Sequence, residues 1–193
     1  MTKSFNFGGP VGRRAILKAG IGLGIQLSLG QESPGQEEGA SQRPKEGDLL
    51  VRAGDSTFTP LTPADIPVGG KQTMAWPMDP TDKTVRNGSR LNRVLLLRLD
   101  PEKLSPETKS RAADGVVAYT AICTHTGCEV TEWVAEEQLL VCPCHESRFE
   151  PKDAARVVDG PAPRMLPALP LKLTNGTLVV AKPFTGPVAF EVQ

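Results

Sequence analysis

The feature that most constrains this chain is the stretch from Cys123 to His145, because it contains all four cysteines and both histidines of the 193 residues. These side chains fall into a first box, CTHTGC at residues 123–128, and a second box, CPCHES at residues 142–147. Thiolate and imidazole are the ligands that zinc and iron–sulfur sites use. Their confinement to two boxes indicates one site rather than scattered core positions.

The spacing within the boxes limits which kinds of metal site are possible. Each box offers one thiolate and one imidazole, in the patterns Cys123-x-His125 and Cys142-x-x-His145. Sixteen residues separate His125 from Cys142, which is enough for a hairpin that brings the two boxes together as loops. Two thiolates and two imidazoles suit either a tetrahedral zinc ion or a [2Fe–2S] cluster with mixed ligation. The two remaining cysteines lie one in each box, and a disulfide between them would persist only in an oxidising compartment.

The two boxes resemble those of Rieske iron–sulfur proteins, including Pro143 and Ser147 of the second box. The resemblance implies a Rieske-type [2Fe–2S] cluster and a disulfide between Cys128 and Cys144. It also implies two cysteine ligands on one iron and two histidine ligands on the other, namely Cys123, Cys142, His125 and His145. A structural zinc module is the alternative that the residues leave open, and such a module would be colourless and redox-inert.

Three positions of the second box bear on the properties of such a cluster. Ser147 matches the family serine that donates a hydrogen bond to a bridging sulfide. Phe149 departs from the high-potential members, in which a tyrosine hydroxyl donates to a ligand sulfur. Glu146 replaces the usual glycine and adds a negative charge beside His145. Hydrogen bonds to the sulfurs raise the potential, whereas a nearby negative charge opposes reduction. Both departures therefore predict a reduction potential below that of quinol-oxidising complexes but above that of the disulfide-free oxygenase type.

A proline-rich segment follows the second box. The sequence reads Gly160-Pro161-Ala162-Pro163, and the resemblance implies a loop that covers the cluster. A stiff, apolar loop of this kind limits the access of water to the sulfides. A plain proline turn without a role at the cluster is the alternative.

The first 30 residues have the pattern of a targeting segment. Arg13-Arg14 follows a polar start and precedes the apolar run from Ala19 to Leu29. The order and the paired arginines predict twin-arginine export to the periplasm. The apolar run is short and rich in glycine, whereas a membrane-spanning helix needs about twenty apolar residues. We therefore expect a cleaved leader, with a retained anchor on the inner membrane as the alternative.

The rest of the chain predicts a linker followed by one all-β domain. Residues 31–47 are rich in Gln, Glu, Ser, Pro and Gly and predict a disordered linker. Residues 48–193 predict a Rieske domain of stacked antiparallel sheets, with a cluster-binding subdomain of two loops. Trp76-Pro77 is expected in a loop and residues 100–114 in a solvated surface excursion. Strands are expected at 48–51, 93–99, 116–122, 130–133, 138–141, 168–173, 177–181 and, as an edge strand, 184–193.

Composition and missing motifs limit the function. Without the four basic residues of the first 30 positions, 18 basic and 22 acidic side chains remain, which does not favour nucleic-acid binding. No nucleophilic triad, phosphate loop or pair of catalytic carboxylates stands out, so any catalysis belongs to a partner. An oxygenase would need two further histidines and a carboxylate for its catalytic iron, and no histidine remains.

The expected function is one-electron transfer, as a periplasmic carrier or as the small subunit of an exported oxidoreductase. The expected partner is a redox protein, either a cytochrome c or an oxidoreductase large subunit. The alternative is the iron–sulfur subunit of a quinol–cytochrome c reductase, in which quinol is the donor and the N-terminal segment is kept as a membrane anchor.

Overall fold

The structure, a computed structural model, describes residues 34–190. The predicted targeting segment lies outside the described residues. Ten strands form two antiparallel sheets in the described part: β1 Leu49–Arg52, β2 Thr73–Met78, β3 Val94–Arg98, β4 Val116–Thr120, β5 Glu132–Val134, β6 Leu139–Val141, β7 Arg148–Glu150, β8 Arg156–Asp159, β9 Leu171–Thr174 and β10 Thr177–Val180. One sheet has the order β4-β3-β2-β1-β10-β9, and the other has the order β5-β6-β7-β8.

Helices are few and short, so the all-β prediction is confirmed. The α-helices are α1 Pro34–Ser41 and α2 Pro106–Lys109, and three 3₁₀-helices cover Pro63–Asp65, Arg90–Asn92 and Pro101–Lys103. Within residues 34–190, no helix has the length and apolar character needed to cross a membrane.

Strand β3 separates two hydrophobic cores. Its residues Val94 and Leu96 pack into one core, whereas Leu95 and Leu97 pack into the other. Successive side chains of a strand point to opposite faces, so an unbroken apolar run is what a strand covered on both faces requires. The core that contains Leu95 and Leu97 also contains Cys123, Cys142 and Phe149, which places the candidate site on top of it.

The strongest strand predictions are confirmed to within one to three residues at their ends. The predicted Asn-Gly hairpin joins β9 to β10, and Asn175 and Gly176 both have positive φ, 51° and 78°. Such dihedral angles give the tight turn that matches the twist of a hairpin. Trp76-Pro77 was expected in a loop but lies in β2, paired with β1.

The predicted edge strand at residues 184–193 is wrong for its described part. Residues 184–190 contain no strand. The guanidinium of Arg164 donates to the carbonyls of Pro187 (2.9 Å) and Ala189 (2.5 Å). These carbonyls are therefore bound by a side chain rather than by a neighbouring strand.

The excursion at residues 100–114 is more ordered than predicted. Asp100 and Ser105 cap its two short helices through their side chains. Thr108 is buried, and its hydroxyl accepts a hydrogen bond from the backbone N–H of Ala154 at 2.8 Å. The excursion thus covers part of the four-stranded half of the domain.

A disordered linker was predicted over residues 31–47, and its described part, residues 34–47, contains ordered structure. Helix α1 occupies Pro34–Ser41, and the segment after it is held by buried side chains of the domain. Asn92 donates to the carbonyl of Gln42 at 2.7 Å, and Arg86 donates to the carbonyl of Gly39 at 3.2 Å. A polar segment needs no apolar core of its own when its backbone carbonyls accept hydrogen bonds from another part of the chain.

The residue that organises this docking is Arg86, which is 1 % exposed. Its guanidinium binds both carboxylate oxygens of Asp48, at 2.6 and 2.9 Å, and Asp48 is 0 % exposed. It also reaches Asp79 at 3.2 Å. The hydrogen bond from Lys45 lowers the pKa of Asp79 to about 2, so this carboxylate is charged at neutral pH.

We expect Asp48→Asn to destabilise the domain by about 3 kcal/mol, because it leaves a buried guanidinium without its closest counter-charge. Asp114→Asn is the matched control, since it breaks the exposed ion pair with Arg98 and should cost less than about 1 kcal/mol. Urea unfolding of both variants measures the difference. Equal costs would show that the buried pair does not fix the docked segment.

Candidate metal centre

The two boxes form two loops of the four-stranded half of the domain and the connection that leads into it. The first box lies between β4 and β5, and the second lies between β6 and β7. In the first box, the backbone N–H of Cys123 donates to the carbonyl of Cys128 at 2.7 Å. In the second box, the N–H of Cys142 donates to the carbonyl of Ser147 at 2.9 Å. Each box is therefore a closed turn that fixes the direction of its first cysteine.

The structure brings together all six cysteine and histidine side chains. A disulfide joins Cys128 to Cys144 and cross-links the boxes. The other two cysteines are free thiols, each 1 % exposed. The imidazole rings of His125 and His145 lie 4.7 Å apart, edge to face. His145 is exposed, whereas His125 is partly buried. The four predicted metal ligands are thus two buried thiols, Cys123 and Cys142, and two imidazoles nearer the surface.

Two properties of these groups are those expected of metal ligands. Burial raises the pKa of the Cys123 thiol to about 11, and the neighbouring Cys142 thiol adds to this shift. Thiols in such surroundings stay protonated until a metal ion displaces the proton. In addition, Nδ1 of His125 is buried without a hydrogen-bond partner. Buried polar atoms rarely lack a partner, so this nitrogen fits a metal ligand.

The donor set fits a [2Fe–2S] cluster with mixed ligation. Two thiols and two imidazoles are the side chains that a cluster with cysteines on one iron and histidines on the other requires. In the described part of the chain, the ligand atoms of Cys128, Cys142 and Cys144 lie within 4.8 Å of one another. Two of these cysteines, Cys128 and Cys144, form the disulfide, so the Cys142 thiol lies beside the cross-link between the boxes.

The proline loop, residues 160–164, connects the two boxes. Gly160 has a φ of +86°, and a Cβ atom at this position would lie 2.6 Å from Cα of Ser147. The N–H of Ala162 donates to the hydroxyl of Ser147 at 3.1 Å. At the other end of the loop, the hydroxyl of Thr124 donates to the carbonyl of Arg164 at 2.6 Å. The loop is therefore bound to both boxes.

The predicted tuning residues occupy distinct environments. Ser147 is buried and accepts the hydrogen bond from the proline loop, so its own proton is free to be donated towards the site. Phe149 is fully buried in the core beneath the two thiols. Pro161 and Pro163 are exposed, which leaves them on the outer surface of the loop. Glu146 is exposed and has a φ of +58°, a backbone conformation that favours the glycine usual at this position.

The sequence did not predict the residues outside the first box that contact its backbone. Arg90 donates to the carbonyl of Gly127 at 2.5 Å. The Phe190 ring lies beside Gly127 as well, and Thr124 and Arg164 make the contact described above. Gly127 was a signal in the sequence, because a glycine within a tight box often marks a positive φ, here +79°. Arg90 lies 37 residues from Gly127 in the sequence, and no motif around it indicated this contact.

Comparison with known proteins agrees with this site. Residues 75–170 match the family described as "Rieske [2Fe-2S] domain". A Streptomyces lividans protein, "Cytochrome bc1 complex Rieske iron-sulfur subunit", is 34 % identical over 146 residues, which cover 74 % of this chain and 84 % of the relative. A Haloferax mediterranei protein, "Putative respiratory nitrate reductase subunit Rieske", is 40 % identical over 105 residues, which cover 53 % of this chain and 47 % of the relative.

Two further matches concern a longer relative and a solved structure. The matched region covers 40 % of a Streptomyces coelicolor relative with the same bc1 description and 34 % identity, so that relative is much longer. Among solved structures, the soluble domain of Rieske protein II from Sulfolobus acidocaldarius has a TM-score of 0.40 at 23 % identity, covering 50 % of this chain and 64 % of that one.

This chain belongs to the Rieske [2Fe–2S] family. Its cofactor is the Rieske-type [2Fe–2S] cluster, and its function is electron transfer through that cluster with redox partners.

We expect Gly160→Ala to lower the free energy of unfolding by more than the strain of its positive φ alone would, because the added Cβ would collide with the Ser147 backbone. Gly176→Ala is the matched control. Gly176 also has a positive φ but has open space around it, so its variant should cost only about 1–2 kcal/mol. Urea unfolding and iron retention compare the two variants. An equal loss of stability with full iron retention in both would contradict the close packing of the proline loop.

Proposed function

We propose that this chain is the Rieske electron-transfer subunit of an exported redox complex and that it binds the cluster through both boxes. The observation that carries the proposal is the meeting of two buried thiols with two imidazoles across loops cross-linked by a disulfide. In this proposal two cysteines hold the inner iron and two histidines hold the outer iron: Cys123, Cys142, His125 and His145. When bound, the cluster takes up and releases one electron.

The surroundings of these residues support the proposed division of roles. The thiols are buried in the core, where little water reaches them. His145 is exposed, so its imidazole is the group that faces an approaching partner. His125 is held deeper, and its Nδ1 is buried without a hydrogen-bond partner, which leaves this nitrogen available to a metal ion. Electrons would therefore enter and leave on the histidine side.

The disulfide supports a location outside the reducing cytoplasm, because such bonds persist in oxidising compartments. The paired Arg13-Arg14 before an apolar run supports export of the folded protein by the twin-arginine route. We therefore propose a periplasmic protein. Mutating both arginines to lysine should keep the protein in the cytoplasm, as cell fractionation and immunoblotting would show. Unchanged export would contradict this route.

A second candidate is the iron–sulfur subunit of a quinol–cytochrome c reductase. The observation that favours it is the likeness to the Streptomyces lividans bc1 subunit over most of that protein's length. In this case the N-terminal segment is retained as an anchor, and quinol is the donor. Carbonate extraction of membranes, followed by mass measurement of the protein, separates the candidates. A full-length, membrane-retained chain supports the reductase, and a shortened, soluble chain supports the exported carrier or small subunit.

Metal analysis tests the proposed ligands directly. We expect two irons and two acid-labile sulfides per wild-type chain, and less than a tenth of this iron in His125→Ala and His145→Ala, because each leaves one iron without a ligand. Thr126→Val is the matched control, since Thr126 is an exposed residue of the first box and should keep its full iron content. Zinc in place of iron, or full iron in both histidine variants, would overturn the proposal.

Glu146→Gln should raise the midpoint potential by roughly 20–30 mV, because it removes a negative charge next to His145 that opposes reduction. Glu146→Gly removes the same charge and also relieves the positive φ, so it should raise the potential similarly and the stability as well. Spectroelectrochemical titration and urea unfolding measure the two effects. A lower potential in both variants would contradict the charge argument.

Phe149→Tyr should raise the midpoint potential by roughly 40 mV, which corresponds to about 1 kcal/mol for one new hydrogen bond to a ligand sulfur. Tyr119→Phe is the control from the same core. The Tyr119 hydroxyl donates to the carbonyl of Pro151 at 2.7 Å, so its removal should leave the potential unchanged. Equal shifts in the two variants would indicate general repacking instead of a specific hydrogen bond.

A further inference from the structure

The first box contacts two arginines at the ends of one 3₁₀-helix, Arg90–Asn92: Arg90 is its first residue and Arg93 follows its last. Arg90 donates to the carbonyl of Gly127 at 2.5 Å. Arg93 donates to both carboxylate oxygens of Glu129, at 2.9 and 3.0 Å. Gly127 and Glu129 are the two neighbours of Cys128, which forms the disulfide with the second box. Arg90 therefore binds the backbone on one side of the cross-link, and Arg93 binds a side chain on the other.

The two arginines differ in charge balance. Arg93 is paired with Glu129, so together they add no net charge beside the first box. Arg90 has no ion-pair partner among residues 34–190, and its only hydrogen-bond acceptor there is the uncharged carbonyl of Gly127. A positive charge is therefore held against the backbone of the first box. The Arg90 side chain is exposed, so solvent screens part of its field.

The position of Arg90 is fixed from both sides. On one side, Asn92 is fully buried and donates to the carbonyls of Gln42 and Arg86, which anchors the 3₁₀-helix to the domain. On the other side, the Phe190 ring lies 3.2 Å from the place where a Cβ of Gly127 would be, and the Arg90 guanidinium lies 3.2 Å from the same place. The box is thus enclosed between an aromatic ring and a cation.

We propose that Arg90 is a positioning residue for the first box and that its unpaired charge raises the reduction potential of the cluster. The inference deepens the proposed function and rests on it, because it assumes that the first box holds Cys123 and His125 as ligands. Reduction adds a negative charge to the cluster, and a nearby cation favours the more negative form. The hydrogen bond to Gly127 keeps that cation at a fixed place beside the box.

The test is the midpoint potential and the iron content of full-length Arg90→Gln and Arg90→Lys. Lysine keeps the charge and can donate to one carbonyl, whereas glutamine removes the charge. We expect Arg90→Gln to have a lower potential than the wild type or to lose iron, and Arg90→Lys to stay close to the wild type in both. A wild-type potential and iron content in Arg90→Gln would overturn the inference, as would equal effects in the two variants.

Two controls separate this role from general effects. Arg98→Gln removes an arginine at the far end of β3 that binds Asp114 and the carbonyl of Pro63, and it should leave the potential unchanged. The double variant Arg93→Gln/Glu129→Gln removes a neutral pair next to the same box and should change the potential less than Arg90→Gln. A fall as large as that of Arg90→Gln in either control would overturn the charge argument. Absence of iron in the wild type would instead overturn the proposed function itself.

Discussion

The structure depends on bringing two buried thiols together, and no ion pair to a cation within residues 34–190 neutralises them. Cys123 and Cys142 come from separate boxes, and burial keeps the Cys123 thiol protonated in the absence of metal. Nothing in their own chemistry holds such groups side by side. The surrounding contacts do so: backbone hydrogen bonds close each box, the Cys128–Cys144 disulfide links the boxes, and the proline loop is bound to both of them.

These contacts also explain the asymmetry of the site. The thiol side faces the core beneath β3 and β4, whereas His145 faces solvent. Under the proposed ligand assignment, partners would reach the cluster through its imidazoles, and its sulfur side would be protected from water. The charges near the boxes are then the means by which this chain sets its potential. In this proposal Glu146 lowers the reduction potential and Arg90 raises it, and both residues lie outside the buried core.

The sequence predicted the parts of the structure that are determined by residues close together in the chain. The residues predicted as ligands lie within three positions of one another inside each box, and the structure of the apolar run before Arg98 and of the Asn175-Gly176 turn is determined by adjacent residues. Contacts between distant residues were not predictable in this way. Asp48 and Arg86 lie 38 residues apart, and their pairing docks a segment whose composition predicted disorder. Likewise, the carbonyls of residues 187 and 189 accept hydrogen bonds from the distant Arg164 side chain, where the sequence had predicted an edge strand.

The central claim is that the two metal ions have different ligands, sulfur on one and nitrogen on the other. Mössbauer spectroscopy of the ⁵⁷Fe-loaded protein tests it most directly, because soft thiolates and imidazoles give iron different electronic environments. The account predicts two components of equal area with distinct isomer shifts in the oxidised protein, where both irons are ferric and only their ligands differ, one for the cysteine-bound and one for the histidine-bound iron. A single component from two equivalent irons, or a protein that takes up zinc and no iron, would contradict it.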